Sequence, residues 1–315
     1  VVLTHRIELC NQTSKVLNDF NVNNKVINSK ASLDDQHNYS CFVAMVETLN
    51  NRLHDDKLDI SDVGLLIIDE AHYNSFTKLF KFFSKSFLLG VTATPLSSNI
   101  NLPMSDNYEE LIVGESISEL IKNKFLAKAN LYSYNVGLTS LVVGANGDYT
   151  VKSSEELYTN NDMLSKLLLA YEERCQNRKT LIFNNGISTS LIVYDTFKRA
   201  GYDIKHLDNT ATKKQRHEIL KWFKNTENAI LTSVSILTTG FDEPSVKCII
   251  INRATKSLTL YYQMIGRGSR IIKNKNSFEL IDLGNNFYRF GEWGSEINWQ
   301  KIFKNPMNYL DSIIS

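Results

Sequence analysis

Leu65-Leu66-Ile67-Ile68 is apolar at every position, and the run stops abruptly at Asp69-Glu70-Ala71-His72. A strand with one wet face alternates apolar and polar residues. A short run without alternation, rich in β-forming residues, fits a parallel strand buried on both faces. Its acidic tip would stand at the carboxyl edge of a sheet, where open α/β folds bind their ligands. There Asp69 could hold Mg²⁺ and nucleotide phosphates, and Glu70 could polarise a water for attack on a γ-phosphate. A plain strand-to-helix junction explains the same residues, since the helix dipole favours carboxylates in a first turn.

The surrounding chain decides the fold class. Val1-Val2-Leu3, Lys25-Val26-Ile27, residues 42–46 and residues 87–91 read as further strands, with helical spacing over 47–53 and 75–83 between them. Ser116 with Glu119 predicts a capped helix over 116–125. The pattern loosens over 131–161, apart from a possible strand at Leu141-Val142-Val143. A second series follows. Asp162 is placed to cap a helix, strands are expected at 180–183, 204–207, 229–232, 246–251 and 278–281, and Thr212 with Gln215 has the form of a capping box. Alternation of this kind predicts an α/β protein with two parallel sheets. The expected divisions are 1–130, a connection over 131–161, and 162–315, with a cleft between the sheets.

Composition excludes little but excludes it clearly. Lys and Arg number 35 against 34 Asp and Glu, so bulk charge demands no polyanionic partner, although a local groove can still be basic. No apolar stretch reaches the roughly 18 residues of a membrane span. The start shows no signal-peptide pattern. Cys10, Cys41, Cys175 and Cys248 lack CxxC spacing, which argues against zinc and for reduced, buried thiols in a cytoplasmic protein (host cytoplasm, if the source is viral).

Three further stretches carry chemistry. In Gln263-Met264-Ile265-Gly266-Arg267-Gly268-Ser269-Arg270, spacings of four and three would set Gln263, Arg267 and Arg270 on one helical face. Two guanidiniums there match phosphate oxygens in a fork and could neutralise charge during phosphoryl transfer. Gly266 and Gly268 suit a plain helix badly. Upstream, Gly240 permits close backbone approach, and Asp242 could bond a ribose or an arginine, or be an ordinary turn residue. Thr92-Ala93-Thr94 follows the next strand. Its hydroxyls could bond the acidic site or simply cap the turn before Pro95.

Taken in order, Thr4-His5-Arg6-Ile7-Glu8-Leu9, the Asp69-Glu70-Ala71-His72 box, Thr92-Ala93-Thr94, Thr238-Thr239-Gly240-Phe241-Asp242 and Gln263-x-x-Gly266-Arg267-x-x-Arg270 resemble motifs Ia, II, III, V and VI of superfamily 2 helicases. The stretch from Leu207-Asp208 to Phe223 is similar to an additional motif between IV and V. The spelling is most similar to RadD-like DEAH-type DNA helicases, whose connecting passages resemble Ile117–Ile121 and Leu280–Asn285. The resemblance implies two RecA-like lobes, with ATP and Mg²⁺ as cofactors and DNA (a single strand or junction) rather than RNA as partner. By position, Asp69 would hold Mg²⁺ and Glu70 activate water. His72, Gly240, Asp242 and Gln263 would contact the nucleotide, Gln263 sensing the γ-phosphate, and Arg267 and Arg270 would supply arginine fingers. Thr92 and Thr94 would couple the lobes. Thr4, His5, Arg6, Thr48 and the Asn184-Asn185-Gly186 loop would face the nucleic-acid strand, as would Ser235, which stands where many relatives place another polar residue.

One departure stands out. No GxxxxGK[ST] or GxGK[ST] loop occurs in the 315 residues. Such a loop cradles phosphates with backbone N–H groups and a Lys. In the resembled family it precedes motif Ia, so the first lobe is expected to be incomplete at its N-terminus, whether by truncation or because another chain supplies the loop. The expected activity is ATP-driven DNA unwinding or translocation. The alternatives are a nucleic-acid-binding or regulatory protein with a non-hydrolysing motor, and the motor of a restriction system, for which no PD-(D/E)xK-like nuclease spelling is present.

Overall fold

Among the described residues of the computed structural model, the strands of both sheets pair in parallel. The structure describes residues 1–28, 36–54, 58, 60–234, 236–237 and 241–308. These fall into two compact units, Val1–Val113 with the segment from Asn298, and Gly114–Ile297.

In the first unit, β1 (Val2–Thr4), β2 (Asn24–Ile27), β3 (Cys41–Met45), β4 (Leu65–Asp69) and β5 (Phe87–Val91) lie in the order β2-β3-β1-β4-β5. Val2 stands opposite both Val43 and Ile67, and Ile67 opposite Leu89. One face of this sheet is dry: Leu3, Ala44, Leu66 and Ile68 are fully buried with Leu49, Phe76, Leu79 and Phe83. On the other face the helix Ile7–Asp19 packs on β1–β3. β5 is the sheet's edge, and Leu65, Phe87, Leu89 and Val91 remain 44%, 82%, 48% and 52% exposed. In the run 65–68, Leu66 and Ile68 are therefore fully buried on one face, while on the other Ile67 is half-buried and Leu65 exposed.

The segment 74–83 keeps Phe76, Leu79 and Phe83 buried as its spacing predicts, but as a four-residue α-turn between two 3₁₀ turns. A helix near the end of the described residues also belongs here. Trp299–Lys304 buries Phe303 in the first unit's core, and Gln300 Nε2 donates to the Leu111 carbonyl at 2.8 Å. The second unit thus ends before Asn298, where the sequence had suggested one domain running from 162 to 315.

The second sheet has the order β6-β11-β10-β7-β9-β8, from β6 (Lys128–Ser133), β7 (Thr180–Asn184), β8 (Ile204–Leu207), β9 (Ile230–Val234), β10 (Cys248–Asn252) and β11 (Ser277–Asp282). All five residues of both β7 and β10 are buried, as central parallel strands should be. Ile182, Ile250 and Ile281 pack with Tyr158, Leu167, Tyr171 and Phe197. Much of the expected connection is part of this unit, because β6 pairs with β11 along its whole length. Leu141-Val142-Val143 forms no strand: Val143 makes an isolated bridge to Tyr149, and Val142 and Val143 are exposed.

The cap of the helix Asn161–Arg174 is Asn160, whose Oδ1 accepts from the Met163 amide at 2.8 Å; Asp162 lies inside the first turn. The capping boxes Ser116–Glu119 and Thr212–Gln215 are both formed. Cys10 and Cys41 are free thiols, whereas Cys175 and Cys248 are joined in a disulfide with Cα atoms 5.9 Å apart. A fold that brings the end of one helix to the start of β10 makes that pairing, which no local spacing announces.

Candidate functional site

Because the strands of the first sheet are parallel, the segments that follow β1, β3, β4 and β5 emerge along one edge. Asp69 is the last residue of β4. Burial pushes its carboxyl above the usual range, and a hydrogen bond from the Glu70 backbone offsets this in part. A cation would relieve that cost. Among the described residues no group of three or more His, Cys, Asp or Glu could enclose a metal. An ion held by one or two carboxylates together with phosphates, as Mg²⁺ commonly is, fits these residues.

Glu70 turns the chain sharply. Its φ of 55° is left-handed, a conformation that costs a non-glycine residue roughly 1 kcal/mol. The turn is closed by the Ala71 amide, which donates to the Val91 carbonyl at 3.0 Å. His72 is then carried into the interior, 2% exposed, with Nδ1 2.9 Å from Thr92 Oγ1 and 3.4 Å from Glu70 Oε2. Thr92 Oγ1 donates to the Thr94 carbonyl and accepts from the Thr94 amide. With its own proton committed, Thr92 accepts from Nδ1, which assigns the His72 tautomer. Both readings of Thr92-Ala93-Thr94 are met, since the hydroxyl caps its own turn and reaches the acidic box.

The residues at the end of β1 and just after it are Thr4, His5 and Arg6. Thr4 is fully buried, and its hydroxyl donates to the Arg6 carbonyl while lying 3.0 Å from Cys10 Sγ. Both ring nitrogens of His5 are buried without partners. The rings of His5 and His72 lie 4.9 Å and 4.2 Å from that of Tyr73. Burial pushes both histidines down to about 4, helped at His5 by Arg6 and at His72 by His5. Thr4 is thus interior in this structure, whereas His5, Arg6 and Thr48 keep partly exposed positions at the edge.

In the second unit the helix Leu258–Gly266 stops short of the arginines. Arg267 is its C-cap, and Arg270 lies beyond it, so Gln263, Arg267 and Arg270 do not share a helical face. The cause is Gly268. A Cβ there would lie 2.4 Å from Phe278 and 2.9 Å from Ile249, so only glycine lets the backbone descend onto the sheet. The Ala127 amide, donating to Ser269 O at 2.7 Å, holds it there. Both arginines are instead tied to the preceding loop. Arg267 Nη1 donates to the Phe241 carbonyl, and Arg270 Nε donates to Asp242 Oδ1 at 3.2 Å. Asp242 therefore bonds an arginine, one of the roles its sequence left open. Gln263 Nε2 is a buried donor with no hydrogen-bond partner. Gly240 and Ser235, with Thr238 and Thr239, lie outside the described residues.

Asn184 does not face outward. It is 1% exposed and sits in a chain of hydrogen bonds across four strands: Asn252 Nδ2 to Asn184 Oδ1 (2.8 Å), Asn184 Nδ2 to Thr232 Oγ1 (2.8 Å), Thr232 to Ser190 (2.9 Å), and Ser190 to His206 Nδ1 (2.8 Å). His206 Nε2 continues it to Asp208 Oδ2 at 2.9 Å. Burial alone would raise the Asp208 carboxyl, but hydrogen bonds from Thr210 and His206 hold it below the usual range. Asn185 is also engaged, through Nδ2 to Ser154 Oγ at 2.8 Å. Asn184, Thr232 and Asn252 are isolated polar residues, flanked at two-residue spacing by apolar ones, so the strand pattern gives this network no periodic signal.

Another cluster passed unnoticed in the sequence. Asp148 accepts from Arg253 Nη2, Thr255 Oγ1 and the Lys256 amide, pinning residues 144–150 to the carboxyl edge of β10.

Residues 159–272 match the profile of the helicase conserved C-terminal domain, and residues 1–97 that of the type III restriction enzyme res subunit. The Saccharomyces cerevisiae protein named as an ATP-dependent helicase, IRC3, is 29% identical over 296 residues, covering 90% of this chain and 42% of that protein. A 51.5 kDa protein of a Lactococcus phage is 27% identical over 244 residues, 76% of this chain and 53% of the relative. The chain thus spans about half the length of the curated relatives it matches. Among solved structures, a fragment described as the HsdR subunit of a type I restriction enzyme from Vibrio vulnificus superposes with a TM-score of 0.67 at 20% identity, over 86% of this chain and 53% of that one. Both units are RecA-like α/β lobes.

Proposed function

We propose, from the premise that this chain belongs to the superfamily 2 helicases, that it is the motor of an ATP-dependent DNA helicase or translocase. The observation that carries the reading is the turn at Asp69-Glu70, where a partly desolvated carboxylate at a strand tip adjoins a second carboxylate held in a left-handed turn beside His72 and Thr92. A protein that only binds nucleic acid has no evident need for that strain. ATP with Mg²⁺ would supply the phosphoryl group whose hydrolysis drives movement. Asp69 is assigned to the ion, Glu70 to orienting water, and Gln263 to an oxygen of the γ-phosphate. Arg267 and Arg270 offset developing negative charge, and Gly240 and Asp242 border the nucleotide. Thr92, bonded to His72, reports the state of the box to Thr94. Arg6 and Thr48 contact the backbone of the strand, which positions it without reading sequence.

DNA is the substrate proposed, and the protein is placed in the cytoplasm. The spelling of the connecting passages supports DNA, and no described residue is singled out as a reader of the 2′-hydroxyl. The test is ATP hydrolysis by a chimera carrying a GxGK[ST] segment ahead of Val1, titrated with DNA and RNA oligonucleotides of one sequence. Stimulation by DNA alone supports the proposal, and stimulation by RNA alone refutes the substrate assignment. The res-subunit match over residues 1–97 favours a second reading, the motor of a restriction system. That reading expects hydrolysis to depend on duplex length without strand separation.

A further inference from the structure

Lys275 is 3% exposed although it lies in a polar turn, Lys273-Asn274-Lys275-Asn276, whose other residues face solvent. Asn274, with φ at 70°, reverses the chain so that Lys275 points inward, and the Lys275 amide closes the turn on the Ile272 carbonyl at 3.0 Å. Its Nζ donates to three backbone carbonyls: Gly268 at 2.7 Å, Arg270 at 2.8 Å and Pro244 at 3.0 Å. The first lies between the two arginines of the proposed site, and the second is Arg270's own. The third belongs to the loop that Arg267 reaches through Phe241 and Arg270 through Asp242. One buried ammonium thereby fastens the arginine segment to the loop, and its three donors are all used.

We infer that Lys275 is a positioning residue for Arg267 and Arg270, fixing the backbone from which both guanidiniums project. The inference rests on the motor reading above for the use made of the arginines, but not for the fastening itself. A lysine is suited to the place because a single compact charge can draw three carbonyls to one point, which a planar guanidinium cannot match in the same space. The groups facing Nζ are Arg270 and Lys247, which disfavour its charge, and Glu243, which favours it. Burial is the larger effect, and the amine is pushed down to about 8. Glu243 is itself buried and bonded to Ser245. The fastening is therefore charge-assisted below about pH 8 and weakened above it.

The test needs no nucleotide. Amide hydrogen exchange is followed on this chain over 241–247 and 264–272, with rates corrected for intrinsic pH dependence. In the wild type both segments should lose protection as pH rises through about 8, while β7 and β10 do not. Lys275→Met should show faster exchange, by roughly tenfold, in both segments already at pH 7. Lys275→Arg, which stays charged, should show no step near pH 8. Wild-type protection that is flat from pH 7 to 9 in both segments overturns the assignment, even if the variants fail to fold. In a chain that hydrolyses ATP, Lys275→Met should lower kcat with little change in KM. If the exchange results hold but the P-loop-bearing chimera hydrolyses no ATP, the motor reading fails and the positioning role stands.

Discussion

His72 Nδ1 lies 2.9 Å from Thr92 Oγ1, so one hydrogen bond joins the tips of the adjacent strands β4 and β5. The Nδ1–H donor survives protonation, so acid acts on His72 through the cost of burying a charged ring. A histidine whose folded pKa is depressed stabilises the fold fully above its unfolded value near 6.5, and loses that contribution as pH falls toward about 4. For His72 the loss is roughly 3 kcal/mol once pH is below both values. Urea denaturation at pH 7 and pH 4.5 should show a smaller acid loss in His72→Gln than in the wild type. An identical acid loss in the two proteins would contradict this role.

Asn184 makes a second prediction, of stability rather than binding. Replacing it with Leu strands the Asn252 amide and disturbs Thr232 in a dry sheet, at a cost of about 1–3 kcal/mol for the unsatisfied groups. Denaturation midpoints should fall accordingly. DNA affinity of the folded fraction should stay within about twofold, because the side chain is spent internally. A selective loss of affinity with an unchanged midpoint would return Asn184 to the nucleic-acid face.

The β5 edge is a liability. Phe87, Leu89 and Val91 are exposed on a strand with one unpaired side, the arrangement that invites pairing with other chains. Phe87→Lys should slow aggregation measured by light scattering while shifting stability by no more than about 0.5 kcal/mol, as expected for a residue with 82% exposure. Faster aggregation, or a large loss of stability, would show that Phe87 is covered in solution.

What the sequence could reveal depended on how local the signal was. Periodicity located the central strands β7 and β10 and both capping boxes, because each is written in a few adjacent residues. β6 was missed, since Lys128–Ser133 is a partly exposed edge strand whose pattern comes from pairing with β11 alone. The box at 69–72 was legible as chemistry, but the inward turn of Thr4 and Asn184 was not. A polar side chain at a strand end looks the same in sequence whether it meets solvent or a buried partner. Lys273 and Lys275 make the point most sharply: they stand two residues apart in one turn, one exposed and one buried on three carbonyls. Spacing also placed Arg270 on a helix, whereas close packing of Gly268 against Phe278 had already ended it.

The central claim is that Glu70 orients the water in a nucleic-acid-stimulated ATPase. Its most direct measurement is steady-state ATP hydrolysis, with saturating single-stranded DNA, by the P-loop-bearing chimera and its Glu70→Gln variant. The account predicts a fall in kcat of about a hundredfold or more, with nucleotide affinity retained. DNA-stimulated hydrolysis that survives Glu70→Gln undiminished would contradict it.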